Sequence, residues 1–249
     1  MTAVAEAVDR VTAVNAALAA VLDPELDRPI TDLGFVRAVS VGADGSVEAR
    51  LRLPTYFCAP NFAWLMVEDA RRALTRLSWA GECTVILEDH FASDEINQGV
   101  GCGKSFAEAF PGLADADRMD ELRAAFLRKG HLAAQTRLGK RLLERGWTMR
   151  QLADAVLGDL PERLTVTLRR RRALLGLPAD PTAPLFADDQ GTAVPAIALE
   201  RHLLRGRTAG VGIGINTELC EGLLATRYGP DGRAAEGQRK EAPRKEEAS

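Results

Sequence analysis

The sequence is short of aromatic residues, which make up 5% of its 249 positions. That scarcity argues against a surface on which nucleic-acid bases stack. Histidines number only three and cysteines four. Cys58, Cys83, Cys102 and Cys220 lie far apart with no CxxC pair, which speaks against secretion on a disulfide framework and for reduced thiols in a cytoplasm. His90, His131 and His202 are too scattered to build a Ser-His-Asp or Cys-His arrangement, so no enzymatic role is expected. No run of 18 apolar residues exists to span a membrane. The Ala-rich start lacks a basic flank and is interrupted by Glu6, Asp9 and Arg10, so it reads as a helix and not as a signal peptide. An excess of either charge is also missing: 32 basic against 35 acidic side chains leave a net charge of −3. Neither nucleic acid nor an anionic membrane would be gathered by so weak a field.

What is present is ordinary globular patterning. Residues 3–21 place Val4, Val8, Val11, Val14, Leu18 and Val21 at helical spacing. Pro24, Pro29 and Gly34 then enforce an irregular stretch. Strands are predicted at 35–41, 46–54 and 83–89, the first two joined by the turn "GADG". Between the second and third, Phe62, Met66, Ala70, Ala73, Leu74 and Leu77 mark an amphipathic helix. The first 90 residues therefore read as an α/β unit ordered helix–strand–strand–helix–strand. Residues 91–229 read as a mainly helical extension. It holds a glycine-rich loop at 90–103, a short helix around "KSFAEAF", a long helix over 117–145, and further helices over 149–157 and 196–205. A small hairpin is expected at "PLFADDQGTAVP", and Arg169–Arg172 reads as a solvated helix face. Residues 230–249, with five basic and five acidic side chains and nothing apolar larger than Ala, are expected to be a disordered tail.

The most informative residues are Asp23-Pro24-Glu25-Leu26, then Ile30, Asp32-Leu33-Gly34 and Val36, followed by the Pro54-Thr55-Tyr56 turn and its cysteine. In these residues, and in the order of its elements, the stretch 5–90 resembles the iron–sulfur assembly domain family that includes SufT- and PaaD-like proteins. The family usually sets a Cys-Pro pair four residues after the threonine. Here Cys58 follows Thr55 by three, and Ala59 stands between it and Pro60. The resemblance implies that Cys58 is the reactive or metal-linked thiol, supported by Asp32, Thr55 and Glu25. It implies iron or an iron–sulfur cluster as the group handled, and a client metalloprotein as partner. Similar domains with C-terminal extensions accompany bacterial diiron monooxygenases such as those that oxidise propane, which suggests a client of that kind. A thiol in a strand-to-helix turn also suits soft-metal binding, because a helix N-terminus favours thiolate. A free cysteine equally packs as a small hydrophobe.

Further candidates are weaker. Asp89, His90, Asp94, Glu95 and Cys102 follow the third strand, and their donor types suit iron or zinc; His90 and Cys102 are the ligands that would join Cys58. Cys83 opens a strand and reads as core, whereas Cys220 sits on a predicted helix that could approach the other thiols. Gly103-Lys104-Ser105 matches the end of a phosphate-binding loop, but Gln98 replaces its first glycine. "GVGIGI" at 210–215 lacks the third glycine of a dinucleotide loop. A maturation factor is thus the leading reading. Its rivals are a metal-free protein–protein adaptor and a nucleotide-binding enzyme acting through Gly103-Lys104-Ser105.

Overall fold

The computed structural model describes residues 2–113 and 118–229, and side chains from residue 8 onward. The expected tail at 230–249 lies outside the described residues. Helix α1 (Thr2–Leu18) leads into a two-residue hairpin, β1 (Leu22–Asp23) with β2 (Arg28–Pro29). Three strands follow the pattern read from the sequence: β3 (Val36–Val41), β4 (Val47–Arg52) and β5 (Cys83–Glu88). β3 pairs antiparallel with β4, and β4 pairs parallel with β5 across the crossover helix α2 (Pro60–Thr75). A parallel pair needs such a crossover, and Pro60 at the first turn starts it where no N–H is required. Along β4 the side chains alternate, with Val47, Ala49 and Leu51 buried. Their face packs into one core with Val14, Leu18, Trp64, Val67 and Leu74.

That core does not stop at residue 90. It takes in Ile96, Val100 and Phe106 from the next two helices, α3 (Ser93–Gly101) and α4 (Phe106–Ala109), and Leu224 and Tyr228 from the far end of the chain. The glycine-rich stretch expected as a loop is therefore largely helix α3. Its glycines serve packing: a Cβ on Gly99 would lie 2.7 Å from the Trp64 ring. Asn97 of α3 accepts the Leu87 N–H and donates to the Leu87 carbonyl, closing the free edge of β5 at that residue.

A second core joins α5 (Met119–Leu143), α6 (Met149–Asp154), α7 (Glu162–Leu175) and the first part of α8 (Ala196–Tyr228). The expected hairpin appears as single antiparallel bridges, Val156 to Pro184 and Ala187 to Ala193, with the turn closed by Asp188 and Thr192. Thr148 caps α6 in a reciprocal box with Gln151. Two expectations fail here. The helix foreseen at 196–205 runs on to Tyr228, because "GVGIGI" is helix interior and no nucleotide loop. Gly206 lets α8 press against α5: a Cβ there would sit 2.0 Å from the Thr136 hydroxyl. The arginine run, too, is no solvated face. Arg171 and Arg172 are buried, and Arg171 forms a bidentate ion pair with Asp27 at 2.9 and 2.5 Å, tying α7 to the β1–β2 turn. Gly212, Gly214 and Gly222 of α8 meet nothing within 4 Å, although each costs a helix about 1 kcal/mol relative to Ala.

Candidate functional site

The motif residues gather where the β1–β2 turn and the loops leaving β4 and β5 meet. Asp23 is 7% exposed, and its Oδ1 accepts the backbone N–H groups of Glu25 (2.9 Å) and Leu26 (2.7 Å). This side-chain turn is what lets "DPEL" reverse direction. Burial nevertheless dominates, and pushes the Asp23 carboxyl up to about 6. Glu25 is half-buried. Asp32 is exposed, with Thr31 donating to its Oδ1 at 3.3 Å. The turn that Asp32 opens ends at Gly34, which has φ 72° and lies against Leu224 of α8. Thr55 is half-buried at the head of the loop carrying Cys58.

Cys58 directly precedes the α2 cap residue, Ala59. A thiolate was expected there, but the surroundings favour the neutral thiol. Burial pushes Cys58 up to about 12, and the nearby Asp23, Cys220 and Glu25 add to the effect, outweighing the hydrogen bond from the Ala59 N–H. Cys220, on α8, is pushed up to about 11 by burial and by the same two carboxylates. Cys58 and Cys220 thus share the electrostatic influence of Asp23 and Glu25. His90 is buried alongside but is committed to the backbone. Its Nδ1 accepts the Ala92 N–H at 3.2 Å, leaving Nε2–H to donate to the Cys58 carbonyl at 2.8 Å. Cys102 is exposed at the C-cap of α3, and no contact joins it to this group. Cys83 is core, its thiol donating to the Gly81 carbonyl at 3.7 Å. Among the described residues no three His, Cys, Asp or Glu side chains converge to hold a metal ion.

Much of the site is built by α8. Asn216 donates to Glu25 at 3.0 Å, and Glu221 pairs with Arg28 at 2.6 Å. Arg227 donates to the Leu53 and Asp89 carbonyls, at 3.1 and 2.5 Å, while Tyr228 lies under Arg52. The sequence alone does not place Cys220 among the leading ligand candidates. A usable signal existed in the run Ile213, Thr217, Cys220, Leu224 and Tyr228, whose helical spacing carries the buried stripe past residue 205. Beside Cys58, Tyr56, Phe57 and Phe91 form a mutually touching group of exposed rings with centroids 5.0–6.3 Å apart.

The Gly103-Lys104-Ser105 segment follows a helix instead of a strand, so it lacks the setting of a phosphate-binding loop. Ser105 caps α4 in a reciprocal box with Glu108. Ser105→Ala should therefore lower stability by about 1 kcal/mol with no dependence on added nucleotide. A thermal shift by ATP that disappears in the variant would refute the capping role.

Comparison with known proteins finds similarity in the N-terminal unit. A family model described as iron–sulfur cluster assembly protein matches residues 12–86, from α1 into β5. The iron–sulfur cluster carrier proteins of Mycobacterium bovis and Mycobacterium tuberculosis are each 48% identical over 46 residues, covering 18% of this chain and 12% of theirs. That of Mycobacterium leprae is 44% identical over 52 residues, or 21% of this chain and 14% of its own. The chain thus spans about an eighth of the length of these curated relatives. No solved structure matches. Over residues 12–86 this chain is similar to the iron–sulfur cluster assembly protein family.

Proposed function

We propose that this protein is an accessory factor in metalloprotein maturation, handling iron or an iron–sulfur cluster as cargo for a client protein in the cytoplasm. The observation that carries this reading is that Cys58, in the family-type domain, and Cys220, from the helical extension, pack against one core and are electrostatic neighbours. Two thiols are too few to complete the coordination of iron or a cluster. A cargo held there keeps open positions for a client's ligands, which suits delivery better than permanent retention. Binding would release the thiol protons, and the raised values keep the empty site neutral beside Asp23 and Glu25. In this reading Glu25 and Asp32 belong to the turns that present the site. Thr55 starts the thiol loop, and His90 pins it. Cys102 would serve only as a secondary, surface thiol. The domain division proposed is a family-type unit at 1–90 and a helical extension at 91–229 that embraces it. A dedicated extension points to a dedicated client, for which a diiron monooxygenase of the propane-oxidising kind is our candidate.

The exposed ring group at Tyr56, Phe57 and Phe91 favours a second reading, a metal-free adaptor that docks the client by this patch. Anaerobic purification with metal and sulfide analysis separates the two. The wild-type chain should carry iron, with sulfide if a cluster is held. Cys58→Ser and Cys220→Ser should each lose most of it, whereas Cys83→Ser should keep it and lose stability instead. A metal-free wild type together with full client maturation by Cys58→Ser would leave the adaptor as the account.

A further inference from the structure

We infer that the outward face of α8 pairs, antiparallel, with the same face of a second copy of this chain. The buried side of α8 runs through Leu199, Gly206, Ile213, Thr217 and Leu224. Opposite it, Leu204, Val211 and Ile215 stand 61%, 55% and 60% exposed, and Ile197 and Leu219 continue the same apolar face. Scattered exposed aliphatics need no explanation, but a stripe along one helix marks a contact surface. Residues 230–249 and 114–117, which contain nothing apolar larger than Ala and Pro, cannot supply that contact.

Three features identify the occupant as a second copy. Gly222 lies on this face and Gly214 at its margin, and neither meets a described atom, so neither glycine is required by the packing of its own chain. Arg207 and Glu218, also on this face and both exposed, make no ion pair with any described residue. Finally, the residues match in reverse order: Val211 with Gly214, Arg207 with Glu218, Leu204 with Gly222. The midpoints of these pairs agree within half a residue, at Gly212–Ile213. A two-fold axis there would seat Val211 and Leu204 each over a glycine of the partner helix, and Arg207 beside Glu218, twice over. A parallel arrangement would instead set Arg207 against Arg207.

Sedimentation of the full chain tests this. The wild type should have twice the 26.9 kDa chain mass, and Ile215→Lys should have the single-chain mass with unchanged helix content. Glu218→Arg should weaken association at least tenfold, and the double exchange Arg207→Glu with Glu218→Arg should restore it, because the reversed pair reforms across the axis. Gly214→Ala, which fills the gap without meeting its own chain, should raise helix content and weaken association. A wild type of single-chain mass at the highest soluble concentration would overturn the inference, as would a double exchange that fails to restore pairing.

Discussion

Replacing Arg171 with methionine should destabilise the protein by up to about 3–5 kcal/mol, the cost of breaking a buried ion pair from one side, less what Arg137, 3.8 Å from the same carboxylate, still compensates. The side chains of Arg171 and Asp27 are only 6% and 5% exposed. Besides the bidentate pair, Arg171 donates to the Asp27 carbonyl. Asp27 sits at φ 53°, a conformation its short polar side chain tolerates. It also presses on α5, where a Cβ on Gly130 would fall 2.4 Å from its Oδ1. Methionine keeps most of the volume of Arg171, so the loss comes chiefly from the carboxylate's lost donors, with Arg137 at 3.8 Å the cation that still faces it. Asp27→Asn keeps the turn and an acceptor but removes the charge, and should lose less. The double variant tests the pairing: Arg171→Met on the Asp27→Asn background should cost well under its cost alone, since the charge that it strands is gone. Chemical unfolding of the four proteins measures the cycle. Additive losses would show that the two groups act independently. Because the pair joins the β1–β2 turn to α7, Arg171→Met should also split a single unfolding transition into two.

The sheet and α2 were legible because period-two and period-3.6 patterns are local properties of the chain. Val47, Ala49 and Leu51 announce their face without any knowledge of what covers them. The motif residues at 23–36 and 54–58 were equally visible. Less legible was everything that depends on distant packing. Gly99 suggests a loop until the Trp64 ring is known to need its space. Gly206 and Gly210 suggest a break in α8 until α5 is placed against them. Arg171 and Arg172 look solvated because nothing nearby in sequence reveals Asp27 or the carbonyls of Pro184 and Leu185 as their partners. The protonation of Cys58 was misjudged for the same reason. A helix N-terminus is a local feature, whereas the burial and negative neighbours that outweigh it come from the β1–β2 turn and from a helix more than 150 residues away. Cys220 belongs to the site only because α8 runs past both cores.

Acidification should uncover the second large effect, at His131. This imidazole is 2% exposed on α5, and Arg172 donates to its Nε2 at 3.1 Å. Burial first, and then the positive charges of Arg172 and Arg171, push it down to about 3. Arg172 is itself buried, held by the carbonyls of Pro184 and Leu185, so a proton on His131 would set two cations side by side out of water. In the unfolded chain a histidine takes its proton near 6.5. Between pH 6.5 and 3 the unfolded state therefore binds the proton that the folded state refuses. The stability from keeping His131 neutral is complete above 6.5 and is lost as the pH falls to about 3, up to about 4–5 kcal/mol in all. His90 and His202 are pushed down by burial as well and add to the acid loss, whereas Asp23, pushed up to about 6, works against it between pH 6 and its unfolded value. His131→Gln isolates it, because the amide oxygen still accepts from Arg172 but cannot be protonated in this range. Unfolding free energies measured from pH 7 to pH 4 should fall less steeply in the variant, by about 1.4 kcal/mol per pH unit once below 6.5. Parallel wild-type and His131→Gln curves would mean that the folded protein accepts the proton at His131 after all, and that Arg172 moves away to make room for it.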